Sequence, residues 1–329
     1  MGKFADMLRK RNAFGLFLCT LLAFGSCDKP KEKPALNFQE RTDRIGNADR
    51  NLSEAFKEQW YKGLAEVTSF SLLQERYGEI REGHAVQIFV TEDFLPEEQV
   101  KSSSSAQDNI SVLKYNGVKK FLTGIYPYSI MTSAFSPLPV KAHALKVSHS
   151  TQEWCGQAYM QLNNKEQFLI TSHSYFAKEA DQQVRLEKTW LEDEFWSLIR
   201  IDPGELPTGE IEAVPSFEYL RLRHKPITTY KADALLKKRD SISIYQIKYP
   251  ELKRELTIHF SSQFPFEIEK WEETTGDIAS SGLKTTATRL KRLQTAYWRQ
   301  NSNSDGFLRD SLGLPSYQIE RVVEAEESN

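Results

Sequence analysis

Between residue 65 and about residue 300, short runs of β-branched and aromatic residues alternate with turn signals. Examples are HAVQIFVTEDF, SVLKYNG, QFLITSHSYF and SISIYQIKYP. Short runs joined by links of hairpin length are typical of antiparallel strands. The sequence therefore predicts an all-β fold, an antiparallel meander that forms an open or partly closed β-barrel or half-barrel with a few short helices. No period of 20 to 50 residues repeats, which argues against a propeller or a solenoid.

Two segments have the spacing of helices instead. LSEAFKEQWYKGL, residues 52–64, places apolar residues four apart, with Asn51 or Ser53 as the N-cap. TWLEDEFWSLIRI, residues 189–201, is the second segment, and we expect it to be an interior helix. KSSSSAQDN, residues 101–109, has a composition that cannot build a core and predicts a mobile loop. We expect residues 51–329 to form one β-rich domain, the alternative being a sub-boundary near residues 200–215.

The N-terminus has the layout of a secretory signal peptide. Residues 1–11 are basic, residues 13–24 are apolar, and small residues precede Cys27. The apolar run is too short to span a bilayer. The stretch LLAFGSC resembles the lipobox of bacterial lipoproteins, with Phe24 where that family prefers Leu. The resemblance implies cleavage after Ser26 and a lipid on Cys27; the alternatives are an ordinary secretory signal or an uncleaved anchor.

This interpretation divides the chain into a signal peptide, residues 1–26, a flexible tether, residues 27–50, and the β domain. Loss of the signal peptide removes four basic residues and Asp6, so the formal net charge changes from −2 to −5. A mildly acidic body gives no electrostatic footprint for nucleic acid. We therefore expect a chain held at the cell envelope, on the outer membrane, by its lipid. Its other partner is a ligand or an envelope protein.

Of the three cysteines, Cys155 alone has no assigned fate, so the sequence predicts no disulfide. A hairpin that turns at Asn163 and Asn164 would place Cys155 opposite Ser172, on the other face from His173. We therefore expect a buried packing residue, the alternative being a nucleophile with a nearby base.

The histidines do not have metal-ligand spacing. His143 and His149 would share one strand face but lie roughly 20 Å apart. No His-x-His, His-Glu-x-x-His or paired Cys motif occurs. We expect no metal and no cofactor, and we assign no catalytic residue.

Two acidic groups, Glu92 with Asp93 and Glu192 with Asp193 and Glu194, are expected on solvated faces. A polymer hydrolase would need two such carboxylates to converge across a cleft. That hydrolase is the alternative to a non-enzymatic domain that binds a ligand, lipid or partner.

SFEYLRLRHK, residues 216–225, is predicted to be a strand. Alternation would place Tyr219, Arg221, Arg223 and Lys225 on one face, either as a solvated surface or as a contact site for an anion.

The motifs GIYPYSIM, QEWCGQ and SFEYLRLRHK, with the C-terminal strands that end near Trp271 and Trp298, carry a resemblance over nearly the whole mature chain. They resemble a family of Bacteroidetes lipoproteins whose members often carry the label septum formation inhibitor Maf. The Ser-x-Ser-Pro-Arg-Arg stretch of the Maf nucleotide pyrophosphatases does not occur in this sequence. The resemblance implies an envelope lipoprotein.

Overall fold

The computed structural model describes residues 48–103, 109–276 and 282–315. Contacts divide the chain into two units, Met1–Ala35 and Leu36–Asn329, and every described residue belongs to the second. The strands are β1 (Ala65–Arg76), β2 (Glu79–Leu95), β3 (Val100–Lys101), β4 (Ile110–Thr123), β5 (Tyr126–Pro137), β6 (Lys146–Glu153), β7 (Gly156–Asn164), β8 (Phe168–Ser174), β9 (Gln182–Leu186), β10 (Trp190–Leu191), β11 (Gly209–Val214), β12 (Tyr230–Lys237), β13 (Ile242–Tyr249), β14 (Arg254–Ser261), β15 (Ile268–Thr275) and β16 (Lys284–Thr295). The α-helices are α1 (Glu54–Trp60), α2 (Glu192–Ile201), α3 (Phe217–Leu222) and α4 (Phe307–Ser311), and short 3₁₀ turns cover Pro203–Glu205, Tyr297–Arg299 and Asn303–Gly306.

All sixteen strands belong to one sheet. Its order is β10-β11-β12-β13-β14-β15-β16-β1-β2-β4-β5-β6-β7-β8-β9, with β3 paired to β2. Neighbours are antiparallel except for β10 and β11. Within the described residues, β10 and β9 are the two edges and do not pair, so the sheet curves without closing. The predicted all-β, open meander with a few short helices is confirmed.

Helix α1 leads into the first strand. The Ser53 side chain accepts a hydrogen bond from the Phe56 amide, which caps the helix as the sequence predicts. Phe56 and Trp60, one turn apart on the same face, are buried in the core. The apolar spacing thus fixes which face of the helix packs against the sheet.

Helix α2 occupies the interior of the curved sheet, as its pattern predicts. All ten of its residues are buried. The Trp196 ring stacks on Tyr115 of β4 at 5.8 Å between centroids and meets Trp271 of β15 edge-on at 5.5 Å. On the same helix, the Phe195 ring meets Tyr245 of β13 at 5.4 Å. The helix therefore packs against both halves of the sheet and fills the space between them.

The folded body begins before the predicted end of the tether at residue 50. Asp49 forms a bridge with Val140, and the Arg50 amide donates to the Pro139 carbonyl at 2.7 Å. Both partners follow the last residue of β5, so the chain enters at the end of the sheet where β5 finishes. At the other questioned boundary, β11 continues the same sheet through residues 209–214.

The described residues include no helix that is long and apolar enough to cross a membrane. Most of the predicted loop at residues 101–109, and all of residues 1–47, lie outside them.

Candidate functional site

The three carboxylates in the first turn of α2 are buried rather than solvated. Glu192, Asp193 and Glu194 retain 1%, 5% and 1% of their exposure. Acidic side chains suit a helix N-terminus because the exposed amides there carry partial positive charge. The expectation of a solvated face was wrong, because the helix on which these residues lie is enclosed on all sides. Glu92 also departs from the expected solvated face, because it lies within β2 and forms an ion pair with Lys101 at 3.0 Å.

Two of these carboxylates have strong partners. Both Glu192 oxygens accept hydrogen bonds from the Arg254 guanidinium, with Oε1 2.6 Å from Nη2. Glu194 accepts from the Ala144 amide at 2.6 Å and lies 2.8 Å from the His143 ring. Bidentate and backbone contacts of this kind offset the cost of burying an ionised group.

Asp193 is the exception, since its environment favours the neutral acid. Its Oδ2 accepts one hydrogen bond, from the Phe217 amide at 3.0 Å. Burial, reinforced by the nearby Glu192 and Glu218 carboxylates, raises the pKa of Asp193 to about 8. At neutral pH the side chain therefore carries a proton and can donate a hydrogen bond.

Asp193 faces a small interior cavity of about 40 Å³. Gln87 lines it from β2 and is 2% exposed; neither end of its carboxamide makes a geometrically sound hydrogen bond to the described residues, although it approaches the Tyr115 hydroxyl. A water needs about 10–15 Å³, so the cavity has room for a few waters.

The carboxylates around this cavity are arranged for structure more than for hydrolysis. Glu218 pairs with Lys119 at 2.7 Å, and Glu273 pairs with Arg254 at 2.7 Å. Ligand sites commonly measure 300–1,000 Å³. A polymer segment does not fit in the space beside Asp193, so this cavity gives the hydrolase alternative no support.

The segment predicted as a basic strand folds as helix α3. Ser216 caps it by accepting from the Tyr219 amide at 3.2 Å. The strand prediction was therefore wrong, and the four candidate residues do not share a face. Tyr219 packs under Arg254, with the guanidinium 4.4 Å from the ring centre, and Arg223 binds Glu75 and Thr275.

The other two candidates on this segment differ sharply in exposure. Arg221 is buried, with its guanidinium 4.2 Å from the centre of the Phe176 ring. Lys225, beyond the end of the helix, is exposed. Whether any of the four contacts an anion stays a prediction.

Large apolar residues lie at the tips of four turns at one end of the sheet. The turns join β1 to β2, β4 to β5, β6 to β7, and β8 to β9. Tyr77, Ile125, Trp154 and Tyr175 lie at these tips and are 57%, 83%, 67% and 76% exposed. We call these four residues, with Tyr126, the aromatic rim. Turn tips ordinarily carry Gly, Asn, Asp or Ser, so four large apolar residues in succession are unusual.

Contacts between neighbouring turns make the rim continuous. The Tyr77 hydroxyl shares a 2.8 Å hydrogen bond with the Tyr128 hydroxyl of β5. The Tyr126 ring lies 6.4 Å from the Trp154 ring. Tyr175 lies against Gly156, where even a Cβ atom would come within 2.8 Å of its ring. The sheet therefore holds the rim side chains in one band.

Tyr77 reaches its position through an unusual backbone conformation. Its φ is +58°, and Gly78 follows at +74°, in a two-residue turn between Arg76 and Glu79. A bulky residue in this region carries strain, which occurs preferentially at functional positions. The Arg76 guanidinium lies 4.2 Å from the centre of the Tyr77 ring and supports it.

Cys155 lies in the turn next to Trp154 and is exposed, so the expectation of a buried packing residue was wrong. The β7–β8 hairpin turns later than predicted, which pairs Tyr159 with His173 and Met160 with Ser172. Hydrogen bonding to the Glu153 carboxylate raises the pKa of the Cys155 thiol. A raised pKa lowers the thiolate fraction and argues against a nucleophile.

Among the histidines, His149 is buried in the interior. His149 bonds to Thr132 at 2.9 Å and to Thr151 at 2.8 Å, and burial lowers its pKa to about 3. His143 lies before β6, not on it. Among the described residues, no group of three or more His, Cys, Asp or Glu is placed to hold a metal ion.

Cys27, the predicted lipidation site, lies outside the described residues, as does Cys19. The rim, Gln87 and Lys119 were not identified from sequence, and Asp193 was named there only within an acidic group expected on a solvated face. The rim could have been identified, because a large apolar residue where a turn is expected is visible in ERYGEI, TGIY and EWCG.

Comparisons with known proteins add little beyond the fold. No family model matches the sequence, and no curated protein matches it. A solved structure with detectable similarity is a β-barrel-like protein of domain of unknown function DUF1849 from Brucella abortus. It is 8% identical, covers 70% of this chain and 97% of its own, and has a TM-score of 0.41.

Proposed function

We propose that this chain is a cell-envelope lipoprotein, anchored to the outer membrane through Cys27, whose β domain binds a partner protein through the aromatic rim. The observation that carries the proposal is the rim itself. Interface hot spots are enriched in Trp, Tyr and Arg. Trp154, Tyr77 and Tyr175 supply the aromatic residues, and Arg76 lies beneath Tyr77.

Partner binding at the surface is favoured over lipid binding in the interior. Helix α2 fills the space inside the sheet, and the cavity beside it is about 40 Å³ and is lined by charged as well as apolar side chains. An acyl chain would need several times that volume and apolar walls.

The rim lies at the end of the sheet opposite to the entry of residues 49 and 50. Asp49 pairs with Val140, just beyond the last residue of β5, whereas Ile125 of the rim lies just before the first residue of β5. Strand β1 has 12 residues and spans roughly 40 Å, so the rim is well separated from this entry point.

The charges of the rim turns also favour a protein over an anionic membrane. The acidic residues of these turns outnumber the basic ones. They are Glu75, Glu79, Glu153, Glu179 and Asp181 against Arg76, Arg81 and Lys178. Recognition of anionic lipid would need an excess of Lys and Arg.

Site-specific photo-crosslinking in living cells tests the proposal. A benzoylphenylalanine at position 154 should give one discrete protein adduct, whose partner is identified by mass spectrometry and purified. A benzoylphenylalanine at position 298 is the matched control. Trp298 is 44% exposed and follows Thr295, which pairs with Ala65 at the opposite end of β1 from the rim.

Binding of the purified partner then decides the matter. Trp154→Ala should weaken it by roughly 30-fold, since a hot-spot side chain contributes about 2 kcal/mol or more. Trp298→Ala should leave it unchanged. Adducts at position 154 that contain phospholipid alone would show that the rim is a membrane contact. Equal weakening by both substitutions would remove the rim from the interface.

A further inference from the structure

Arg221 differs from two other buried arginines of the interior, Arg200 and Arg254. Arg200 binds both oxygens of Glu66, at 2.5 and 2.7 Å, and Arg254 binds both oxygens of Glu192. The Arg221 side chain is just as enclosed, at 3% exposure. Its Nε and Nη1 atoms have no hydrogen-bond acceptor among the described residues. A buried charge without a partner costs several kcal/mol, so this guanidinium is a strong candidate for binding something else.

The nearest carboxylate, Glu179, is already committed. Its Oε2 accepts from the Ser174 hydroxyl at 2.5 Å, and its Oε1 lies 2.5 Å from Nδ1 of His224. The distance from Oε2 to the Arg221 Nε is 3.8 Å, beyond hydrogen-bond range. Glu179 therefore balances the charge of Arg221 at a distance, but it accepts no hydrogen bond from Nε or Nη1 of the Arg221 guanidinium.

Among the described residues, Glu179 is the one carboxylate that forms an ion pair with Arg221. Burial is the main cause of the lowered pKa of His149 in β6. The positive charges of Arg221 and of Lys119 in β4 lower it further, so both cations lie near this imidazole. Lys119 is already paired with Glu218. An entering carboxylate would therefore meet the Arg221 guanidinium and a neutral imidazole, with Glu179 as the competing negative charge.

The cover over Arg221 is the β8–β9 loop, residues 175–181. Phe176 stacks on the guanidinium from this loop, and Glu179 belongs to the same segment. The loop begins at Tyr175 of the aromatic rim. Ala180, near its end, has a φ of +50°. A molecule that contacts the rim here lies next to the loop that covers Arg221, a buried cation with two donors, Nε and Nη1, that lack acceptors among the described residues.

We propose that Arg221 is a carboxylate-binding site, filled when an acidic side chain of the rim partner enters under the β8–β9 loop and displaces Glu179. A planar carboxylate matches the guanidinium fork, which is the geometry already used at Arg200 and Arg254. That the carboxylate comes from the rim partner rests on the proposed function. That Arg221 binds a carboxylate does not rest on it and can be tested without the partner.

The test uses the lipidated full-length protein in detergent at constant ionic strength and pH 7. Acetate, a capped Gly-Glu-Gly peptide and inorganic phosphate are titrated, and the thermal midpoint is followed. The peptide should raise the midpoint saturably. Arg221→Met, which keeps the apolar stem, should weaken this response by about tenfold or more. Arg223→Met is the matched control, because Arg223 belongs to the same segment and has its own partners.

A second variant keeps the test decisive if Arg221→Met unfolds. Glu179→Gln retains an acceptor for Ser174 but removes the competing charge, so it should bind the peptide several-fold more tightly than wild type. Failure of both wild type and Glu179→Gln to respond would overturn the site. So would an Arg221→Met response equal to wild type, or saturation by phosphate but not by carboxylates.

The arms also separate the two proposals. Acetate binding as tight as the peptide would overturn the partner side chain as the source. Trp154→Ala should weaken partner binding by roughly 30-fold but leave peptide binding at Arg221 intact. If the rim proposal alone fails, the carboxylate response therefore persists.

Discussion

At the scale of single residues, the interior contains two side chains in the less usual state for their type. Asp193 is a carboxylic acid held neutral by burial and by neighbouring carboxylates. Arg221 is a cation whose nearest carboxylate is bonded elsewhere. Both lie close to α3, and neither environment is visible in the local sequence.

Asp193→Asn should change how stability depends on pH. The ordinary pKa of Asp, 3.8, applies to the unfolded chain, and the folded value is about 8. Between these values the folded chain retains a proton that the unfolded chain has lost. The contribution of Asp193 is therefore fully present below pH 3.8 and is lost as pH rises toward 8, by up to about 1.4 kcal/mol per pH unit.

Chemical denaturation at pH 5, 6, 7 and 8 measures this effect. The difference in unfolding free energy between Asp193→Asn and wild type should grow with pH, because the amide cannot ionise. Taking the difference cancels the groups that titrate in both proteins. Parallel curves would show that Asp193 is ionised in the folded state.

At the scale of elements, α2 is held in the sheet by a bidentate ion pair near each end. Glu192 binds Arg254 of β14 at the N-terminus, and Arg200 binds Glu66 of β1 at the C-terminus. These pairs fix the helix along its axis, while the rings of Phe195 and Trp196 fix its rotation.

Arg200→Met should destabilise the fold by about 3–5 kcal/mol, because it leaves Glu66 buried without its main partner. The double variant Arg200→Met with Glu66→Leu should recover much of that loss, because no buried charge is then stranded. Urea denaturation measures both. Lys57→Met is the control: its pair with Glu54 is exposed and should contribute about 1 kcal/mol or less. A loss for Arg200→Met as small as for Lys57→Met would mean that the pair does not hold the helix.

Helix α3 shows how a short segment escapes prediction. FEYLRL alternates as a strand would, and six residues are too few to distinguish the two periods. The Ser216 cap and the burial of Phe217, Leu220 and Leu222 decide for the helix. That choice separates Arg221 from Arg223 and directs Arg221 toward the β8–β9 loop.

At the scale of the whole molecule, the proposal combines a lipid anchor at Cys27 with a contact surface on the β domain. Within the described residues, the chain enters the fold next to Val140, and the aromatic rim lies at the opposite end of the strands. The anchor and the rim are separate features and can be tested separately.

Cys27→Ser should prevent maturation as a lipoprotein. The substitution removes the sulfur that would carry the lipid, so the chain should remain as precursor or appear in a soluble form cut elsewhere. Fatty-acid labelling and detergent partitioning of whole cells measure the outcome. Cys19→Ser should behave as wild type, since that residue leaves with the signal peptide. Labelling that survives in Cys27→Ser would refute the anchor.

The sequence by itself determined the fold class and the two longest helical segments. Alternation of apolar residues specifies strands, and four-residue spacing specifies α1 and α2, because both patterns are local. The sequence also indicated that α2 is an interior helix, although it placed the acidic first turn of that helix on a solvated face. The charge and the Cys27 junction supplied the expectations about partners and anchoring.

Only the tertiary structure decided the burial of charge and the contents of the candidate sites. Asp193 looks like a surface acid in sequence and is enclosed by strands distant along the chain. Cys155 looks like a packing residue and lies in an exposed turn, because the hairpin register depends on pairing rather than on composition. The rim arises because an antiparallel order brings alternate turns to one end of the sheet. Desolvation and proximity are properties of the assembled fold, so no local pattern records them.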